Sequence, residues 1–297
     1  MRVTNKIVFD SFMRDINRNR TQMAEIQSSL SSAKAVRFPS QDPVSFQRSR
    51  AIEEDIRESE QFQDNINSGL LQSRLAQDAL DTSIDDLIEI KRILVQSSSD
   101  TYSAEDRSNM ADQISGIRDS LIATLNLSYG DRYLFAGTNS GTEPFTLDAT
   151  ATGGVADTSN ANALQVAIDN NVNIDISITG AEIRNTDEGD FFEIIQNIEN
   201  ALRNNDGDAL NSLLDGADEL IDNTTDATSR LGNNIARMEY MYEQYENTKV
   251  TQNSEISKLV DTDYAEAISD LQQNQTIYES AMAVHTRMFN NSLLNYI

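Results

Sequence analysis

The residues that most often carry out catalysis are scarce in this sequence. His285 is the only histidine, and the chain has no cysteine. A serine or cysteine nucleophile needs a neighbouring base, and that base is most often a histidine. His285 also lies in a heptad repeat, where we expect it to pack or to sit at an interface rather than to act as a base. The sequence therefore predicts no catalytic residues, and a protein that is not an enzyme.

Two acidic stretches resemble metal-binding sequences, but neither has the spacing that a site needs. "NNDGD" at 204–208 resembles part of a calcium loop. Aligning Gly207 with the turn glycine of such a loop puts Leu202 where the first carboxylate is required. Asp85 and Asp86 are adjacent, and adjacent residues on a helix do not converge. We interpret the first stretch as a tight turn between helices and the second as a solvated helix face, and we predict no metal and no cofactor.

The charge of the chain limits the partners that it can have. Its 297 residues carry a formal net charge of −25, with a pI near 4.2. Phosphate backbones and anionic lipid repel such a chain, so we expect neither nucleic acid nor a membrane surface as a partner. The sequence lacks an apolar run of about eighteen residues that could span a bilayer. Its first residues lack the apolar core of a secretory signal peptide, so export from the cell would proceed without a cleaved signal.

Heptad repeats of apolar residues occur at both ends of the chain. The N-terminal seam consists of Phe9, Ile16, Met23 and Leu30, with a second row at Phe12, Asn19, Ile26 and Ala33. The C-terminal seam consists of Tyr264, Leu271, Tyr278 and His285, with a second row at Ile268, Gln275, Met282, Phe289 and Tyr296. A helix with such a stripe must bury it against another helix, so we expect the two ends to pair. Polar members dilute both stripes, which predicts weak helices that become stable in a larger assembly; an ordinary intramolecular helical hairpin is the alternative.

The interior alternates between helical and β-type patterns. Heptad spacing predicts a long helix from Val44 to about Ser99, and Ser103 followed by Asp106 predicts a capping box for a helix that runs to about Tyr129. Alternating apolar residues at 164–178 predict a β hairpin, and the low-complexity stretch 148–163 predicts a surface loop. The helical pattern resumes after Gly189. The sequence thus predicts a mainly α fold with long antiparallel helices and a small β insert.

A pair of prolines interrupts the helical pattern in "AVRFPSQDPVSF" at 35–46. Pro39 and Pro43 stop the first helix, because proline lacks an N–H donor and biases the preceding residue away from helix. Ser40 or Asp42 can accept the free N–H groups where the next helix starts, with Pro43 at an early helical position. Arg37 lies just before the break. We interpret 37–43 as a joint between two helical parts of the protein; a plain interhelical turn is equally compatible with the sequence.

Four stretches resemble the flagellin superfamily, and within it the hook-associated proteins of the junction between hook and filament. They are "MRVTNKIVFDSF" at the start, "RFPSQDPVSFQRSRAIEEDI" from Arg37, "DRYLFAGTNSGTEPF" from Asp131 and "NNSLLNYI" at the end. Flagellins themselves usually have a proline-free, alanine-rich version of the second stretch and typically end in arginine. The two prolines and the Tyr296–Ile297 ending both favour the junction proteins. One departure is "AEIRNTDEGDFF" after Gly180, where an aromatic residue is expected sooner, and it leaves the end of the β insert open.

The resemblance implies an architecture and a set of partners. Residues 1–38 and 256–297 would form the coiled-coil terminal helices of an inner tube, 39–130 and 189–255 a helical rod, and 131–188 a β-rich outer insert. The subunit would be exported through the flagellar type III pathway without a cleaved signal and would lie outside the cell, in the flagellum. Its partners would be copies of itself, the neighbouring hook-associated protein, flagellin, and a cytoplasmic chaperone that holds the C-terminal helix before export.

The resemblance also implies a function, that of an adapter between hook and filament that is required for filament assembly. The nearest alternative is a minor flagellin, which would belong to the same family and occupy a different position. A second alternative is an unrelated coiled-coil surface protein or adhesin, although such a protein would normally carry a signal peptide.

Overall fold

The computed structural model of the chain describes residues 2–99 and 101–294, with side chains for residues 6–99 and 101–287. Helices make up most of it, as the sequence predicts. In chain order they are α1 (Arg2–Ser32), α2 (Pro43–Ser97), α3 (Ala104–Leu125), α4 (Gly180–Arg184), α5 (Phe191–Arg203), α6 (Gly207–Ser212), α7 (Leu214–Val260) and α8 (Tyr264–Leu294). The described chain divides into two units, Met1–Glu58 with Asn247–Ile297, and Ser59–Glu246.

The strands are short and pair locally. They are β1 (Ser128–Tyr129), β2 (Arg132–Tyr133), β3 (Phe145–Leu147), β4 (Val155–Asp157), β5 (Gln165–Asp169), β6 (Val172–Asp175), β7 (Asn185–Thr186) and β8 (Gly189–Asp190). Each odd-numbered strand pairs antiparallel with the next one to form a two-stranded sheet. The hairpin predicted at 164–178 is confirmed, because Val166 of β5 lies opposite Ile174 of β6.

Helix starts follow the capping chemistry that the sequence encodes. The predicted capping box at α3 is confirmed: Ser103 Oγ accepts the N–H of Asp106, and Asp106 accepts the N–H of Ser103 at 3.0 Å. The carboxylate of Asp190 caps α5 by accepting two backbone N–H groups. The turn predicted at 204–208 occupies only 204–206, because Asp206 caps α6 and Gly207 and Asp208 are already helical. Such caps satisfy N–H groups that the first helical turn leaves unpaired.

The unit Ser59–Glu246 contains the main apolar core. Aromatic side chains at the start of α5 form its centre: Phe191 and Phe192 are buried, and the ring of Phe192 lies 5.4 Å from that of Phe145 in β3. Ser73 of α2 donates its hydroxyl to the carbonyl of Ile176, which attaches the chain after β6 to the helix at 2.9 Å. The β-rich residues therefore pack onto the helices of this unit through both apolar and polar contacts.

Two predicted boundaries inside this unit are wrong. The helix expected to reach Tyr129 ends at Leu125, because the Asn126 side chain accepts the N–H of Phe145 and donates to its carbonyl, which turns the chain into β1. The stretch 148–163, predicted to be a surface loop, contains a 3-10 turn and β4, and Val155 is fully buried. Both errors come from contacts with distant residues, which local sequence patterns do not encode.

Candidate assembly surface

The unit that holds both chain ends contains the candidate functional surface. Here α1 and α8, the terminal helix pair, pack against each other, as the heptad seams predict. The rings of Phe12 and His285 stack at 4.2 Å, and Phe9 lies 5.8 Å from the same imidazole. Ile16 is buried. His285 thus lies among aromatic rings, which agrees with its interpretation as a packing residue.

A polar pair interrupts this apolar contact. Asn19 is 8% exposed, and its Nδ2 donates to Oδ1 of Asn274 at 3.1 Å. A single buried asparagine in a coiled coil fixes the register of the helices at some cost in stability. The sequence shows Asn19 as a polar member of the seam, but Asn274 lies outside both rows, so only the structure identifies its partner.

The remaining seam residues are less buried than the seam residues of a coiled coil, which pack into the partner helix. Met23, Leu30, Leu271 and Tyr278 are half-buried, whereas Phe9 is 39% and Met282 is 42% exposed. Phe289 lies outside the residues whose side chains are described. Apolar side chains outside the heptad rows are also exposed on this pair: Ile7, Val8, Met13, Ile277 and Val284. The terminal helix pair therefore presents apolar residues that its own packing does not cover.

The chain segments that enter and leave the terminal helix pair bind to each other. Ala35 donates its N–H to the carbonyl of Val260 at 2.8 Å, and Thr262 donates to the carbonyl of Ala33 at 2.9 Å. Ala33 has a φ of 60°, a left-handed conformation that is uncommon for alanine. We define the joint as residues 33–43 and 261–263, which contain the residues 37–43 predicted from the sequence. The sequence predicts a break at the prolines. It gives no sign that the connection from α1 to α2 lies beside the connection from α7 to α8.

Asp42 and Pro43 start α2 in the way that the sequence predicts. Asp42 Oδ1 accepts the N–H groups of Val44 at 3.0 Å and Ser45 at 3.1 Å, and Pro43 is the first helical residue. Of the two candidate acceptors, Asp42 therefore caps the helix and Ser40 does not. Hydrogen bonds from the Ser45 hydroxyl and from the backbone N–H groups lower the pKa of Asp42, because they favour the charged carboxylate.

Gln41 organises the part of the joint around Pro39. Its Oε1 accepts the N–H of Arg37 at 2.7 Å and the N–H of Phe38 at 3.1 Å. The guanidinium of Arg37 lies over the Phe38 ring, 5.5 Å from its centroid. Sequence reasoning missed Gln41, although its position between the two prolines was available as a signal.

No described helix combines the length and apolar character that crossing a membrane requires. Among the residues that the structure describes, no group of three or more His, Cys, Asp or Glu side chains could hold a metal ion.

Comparison with known proteins places both ends of the chain in one family. Residues 3–140 match the model of the bacterial flagellin N-terminal helical region, and residues 214–297 match the model of the C-terminal helical region. The chain belongs to the flagellin family. In this flagellin-family chain the first matched range contains α2, α3 and nearly all of α1, and the second contains α7 and α8.

Individual relatives resemble this flagellin-family chain over nearly its whole length. The flagellar hook-associated protein 3 of Escherichia coli (strain K12) is 23% identical over 99% of this chain and 98% of its own length. The protein of that name from Salmonella typhimurium is 22% identical over the same shares. Among solved structures, a putative flagellar hook-associated protein from Vibrio parahaemolyticus has a TM-score of 0.67 at 19% identity, covering 74% of this chain and 100% of that one. The structural likeness shows a shared fold.

Proposed function

We propose that this chain is a structural subunit of the bacterial flagellum that acts as the adapter between hook and filament. The observation that carries the proposal is the similarity to flagellar hook-associated protein 3 over 98% of that protein's length. A likeness confined to the terminal helices would fit any flagellin-family protein, whereas one that extends through the β-rich middle favours a junction protein.

The terminal helix pair supports an assembly role. Its uncovered apolar residues need a further helix surface to exclude them from water, and copies of the same chain supply one. The proposed assembly seam consists of Phe9, Ile16, Met23, Leu30, Leu271, Tyr278, Met282 and Phe289, of which Ile16 is already buried within the pair. A junction between two helical lattices requires many lateral contacts rather than an active site, so the proposed subunit carries out no reaction.

The proposal assigns roles to the parts of the chain. Residues 1–38 with 256–297 would form the inner tube, 39–130 with 189–255 the rod, and 131–188 the outer insert. Arg37, Pro39, Asp42 and Pro43 would set the geometry between inner tube and rod. The Asp42 cap and the Gln41 bonds support this role, because they fix the backbone between α1 and α2.

The proposal also names the environment of the subunit. It would work outside the cell in the flagellum, after export without a cleaved signal peptide. Its neighbours would be copies of itself, a second hook-associated protein and flagellin, and a cytoplasmic chaperone would bind the C-terminal helix before export. The chain's formal net charge of −25 argues against nucleic acid and anionic membranes as partners.

Labelling of intact flagella tests the proposal. An antibody against residues 131–188, bound to gold particles, should mark a short band where the hook meets the filament. Label along the whole filament would instead identify a minor flagellin, the alternative that the family assignment leaves open. If no label is seen and a deletion strain still builds filaments, the proposed function is wrong.

A further inference from the structure

A cavity at the joint is lined by three cationic side chains and one acidic side chain. The cations are Lys34, Arg37 and Arg50, and the acid is Glu53. The buried side chains of Ser49 and Val260 form part of its wall. An excess of positive charge in a wall of this chain is unexpected, because acidic residues outnumber basic ones 48 to 23 overall.

The ion pairs inside the cavity leave part of this charge unmatched. Among the described residues, Glu53 is the only carboxylate that lines the cavity, and its Oε2 already pairs with Arg50 Nη1 at 2.7 Å. Nε of Arg37 is buried and has no hydrogen-bond partner among the described residues. A buried guanidinium nitrogen without an acceptor is costly, and a carboxylate is the acceptor that matches the planar guanidinium best.

The distribution of charge along the chain indicates where such a carboxylate would come from. Residues 1–37 carry seven basic and three acidic side chains, so this segment has a net positive charge. The remaining residues carry 16 basic and 45 acidic side chains. When copies of a chain with this asymmetry pack side by side, the basic segment of one copy meets the acidic surface of the next.

We propose that the cavity of Lys34, Arg37 and Arg50 receives a carboxylate side chain from a second copy of the chain. The contact is heterologous, since a cavity on one copy meets a different surface on the other. It rests on the proposed function, in which several copies assemble side by side. It goes beyond that function by assigning the self-contact to the joint and by naming the chemistry of the group that enters.

A zero-length carbodiimide cross-link tests the contact, because this reagent joins a carboxylate to a lysine amine only where the two touch. Flagella isolated from cells that produce the full chain are treated with the reagent and separated on a denaturing gel. We expect a covalent dimer of the chain in which Lys34 is bonded to a carboxylate. Links from Lys34 to Glu53 or Asp261 within a monomer-sized band are background, since Asp261 is the bridge partner of Lys34 within one chain.

Three variants make the test specific. Lys34→Arg keeps the positive charge but removes the reactive amine, so the Lys34-dependent dimer should disappear. Arg37→Gln removes the guanidinium that would bind the incoming carboxylate, and it should lower the dimer yield about tenfold or more. Arg57→Gln is the matched control: it removes one exposed arginine of the same unit, outside the cavity, and should leave the yield unchanged.

The outcomes separate this inference from the proposed function. A Lys34-dependent dimer that is lost in Arg37→Gln and kept in Arg57→Gln supports the contact. The inference is wrong if flagella that carry the gold-labelled junction band give no such dimer, or if Lys34 links to a different flagellar protein. Absence of the band itself would contradict the proposed function instead.

Discussion

Asn19 of α1 donates a hydrogen bond to Asn274 of α8 across the terminal helix pair, at 3.1 Å from Nδ2 to Oδ1. The bond joins residues 255 positions apart in the sequence, near Ile16, which is among the most buried side chains of the pair. Oδ1 of Asn19 is buried and accepts no hydrogen bond within the described part of the chain. The pair therefore restricts register while contributing little stability.

Replacing Asn19 by leucine should make the terminal helices more stable and their alignment less specific. Burying leucine in place of a half-satisfied amide should raise the stability of the pair by about 1 kcal/mol. Far-ultraviolet circular dichroism should show more helix in the full-length monomer, and filament assembly in a complemented strain should decrease. Asn17→Leu, at an exposed site on the same helix, is the control. A loss of helix in Asn19→Leu would show that the asparagine pair is net stabilising.

The terminal helices should be largely unfolded in the isolated monomer and helical in the assembly. Their apolar residues remain exposed when only α1 and α8 pack together, and an isolated pair of this kind is marginal in water. Circular dichroism of the full chain is compared with that of a chain lacking 1–35 and 260–297. If truncation lowers the helix signal in proportion to the number of residues removed, the terminal helices are already folded in the monomer and the prediction fails.

Replacing Pro39 and Pro43 together by alanine should impair assembly more than folding. The remaining joint contacts, including the Gln41 bonds, keep the monomer folded, but the backbone between α1 and α2 gains freedom. Thermal unfolding should change by only a few degrees, while the number of filaments per cell should fall severalfold. Equal filament numbers in the variant and the parent strain would show that the proline pair forms a simple interhelical turn with no role in assembly.

Asp106 should make the stability of the protein depend on pH in the acid range. Hydrogen bonds from the Ser103 hydroxyl and backbone lower its pKa below the usual 3.8. The charged carboxylate therefore stabilises the fold at pH values above about 3.8, and this contribution is lost as pH falls through the lowered folded-state pKa. Asp106→Asn should lower the melting temperature by a few degrees at neutral pH and by much less in strong acid. Glu105→Gln, outside the capping box, controls for the loss of charge; a pH-independent difference for Asp106→Asn would contradict the assignment.

Gly137, in the "YLFAGT" stretch, should not tolerate a side chain. Its φ is +65°, and a Cβ there would lie 2.7 Å from the carbonyl oxygen of Asn160 and 2.8 Å from that of Asn162. Gly137→Ala should reduce the free energy of unfolding by about 2 kcal/mol or more. Gly141→Ala, four residues later with open space around it, should change it by less than about 0.5 kcal/mol. Urea unfolding of both variants checks the difference, and equal effects would mean that this turn can relax.

Local patterns predicted the elements of this protein because their interactions lie within a few residues. The Ser103–Asp106 capping box and the Asp42–Pro43 helix start depend on hydrogen bonds between near neighbours, and the heptads at both ends depend on apolar residues that recur along one face of a helix. The sequence also predicted that the ends pair, since two matching apolar stripes need one another. The mainly α fold and the family could therefore be predicted from the sequence.

The tertiary structure alone decided how distant parts of the chain meet. Backbone groups, which almost every residue has, form the bond from Ala35 to Val260 and the pairing of β3 with β4. No side-chain pattern therefore predicts these contacts. The end of α3 at Leu125 depends on Asn126 reaching Phe145. The cationic cavity likewise exists only because the joint folds Lys34 and Arg37 beside Arg50. Interactions between near neighbours, and the pairing of matching apolar stripes, can be predicted from the sequence, whereas the particular hydrogen bonds between distant segments appear only once the chain has folded.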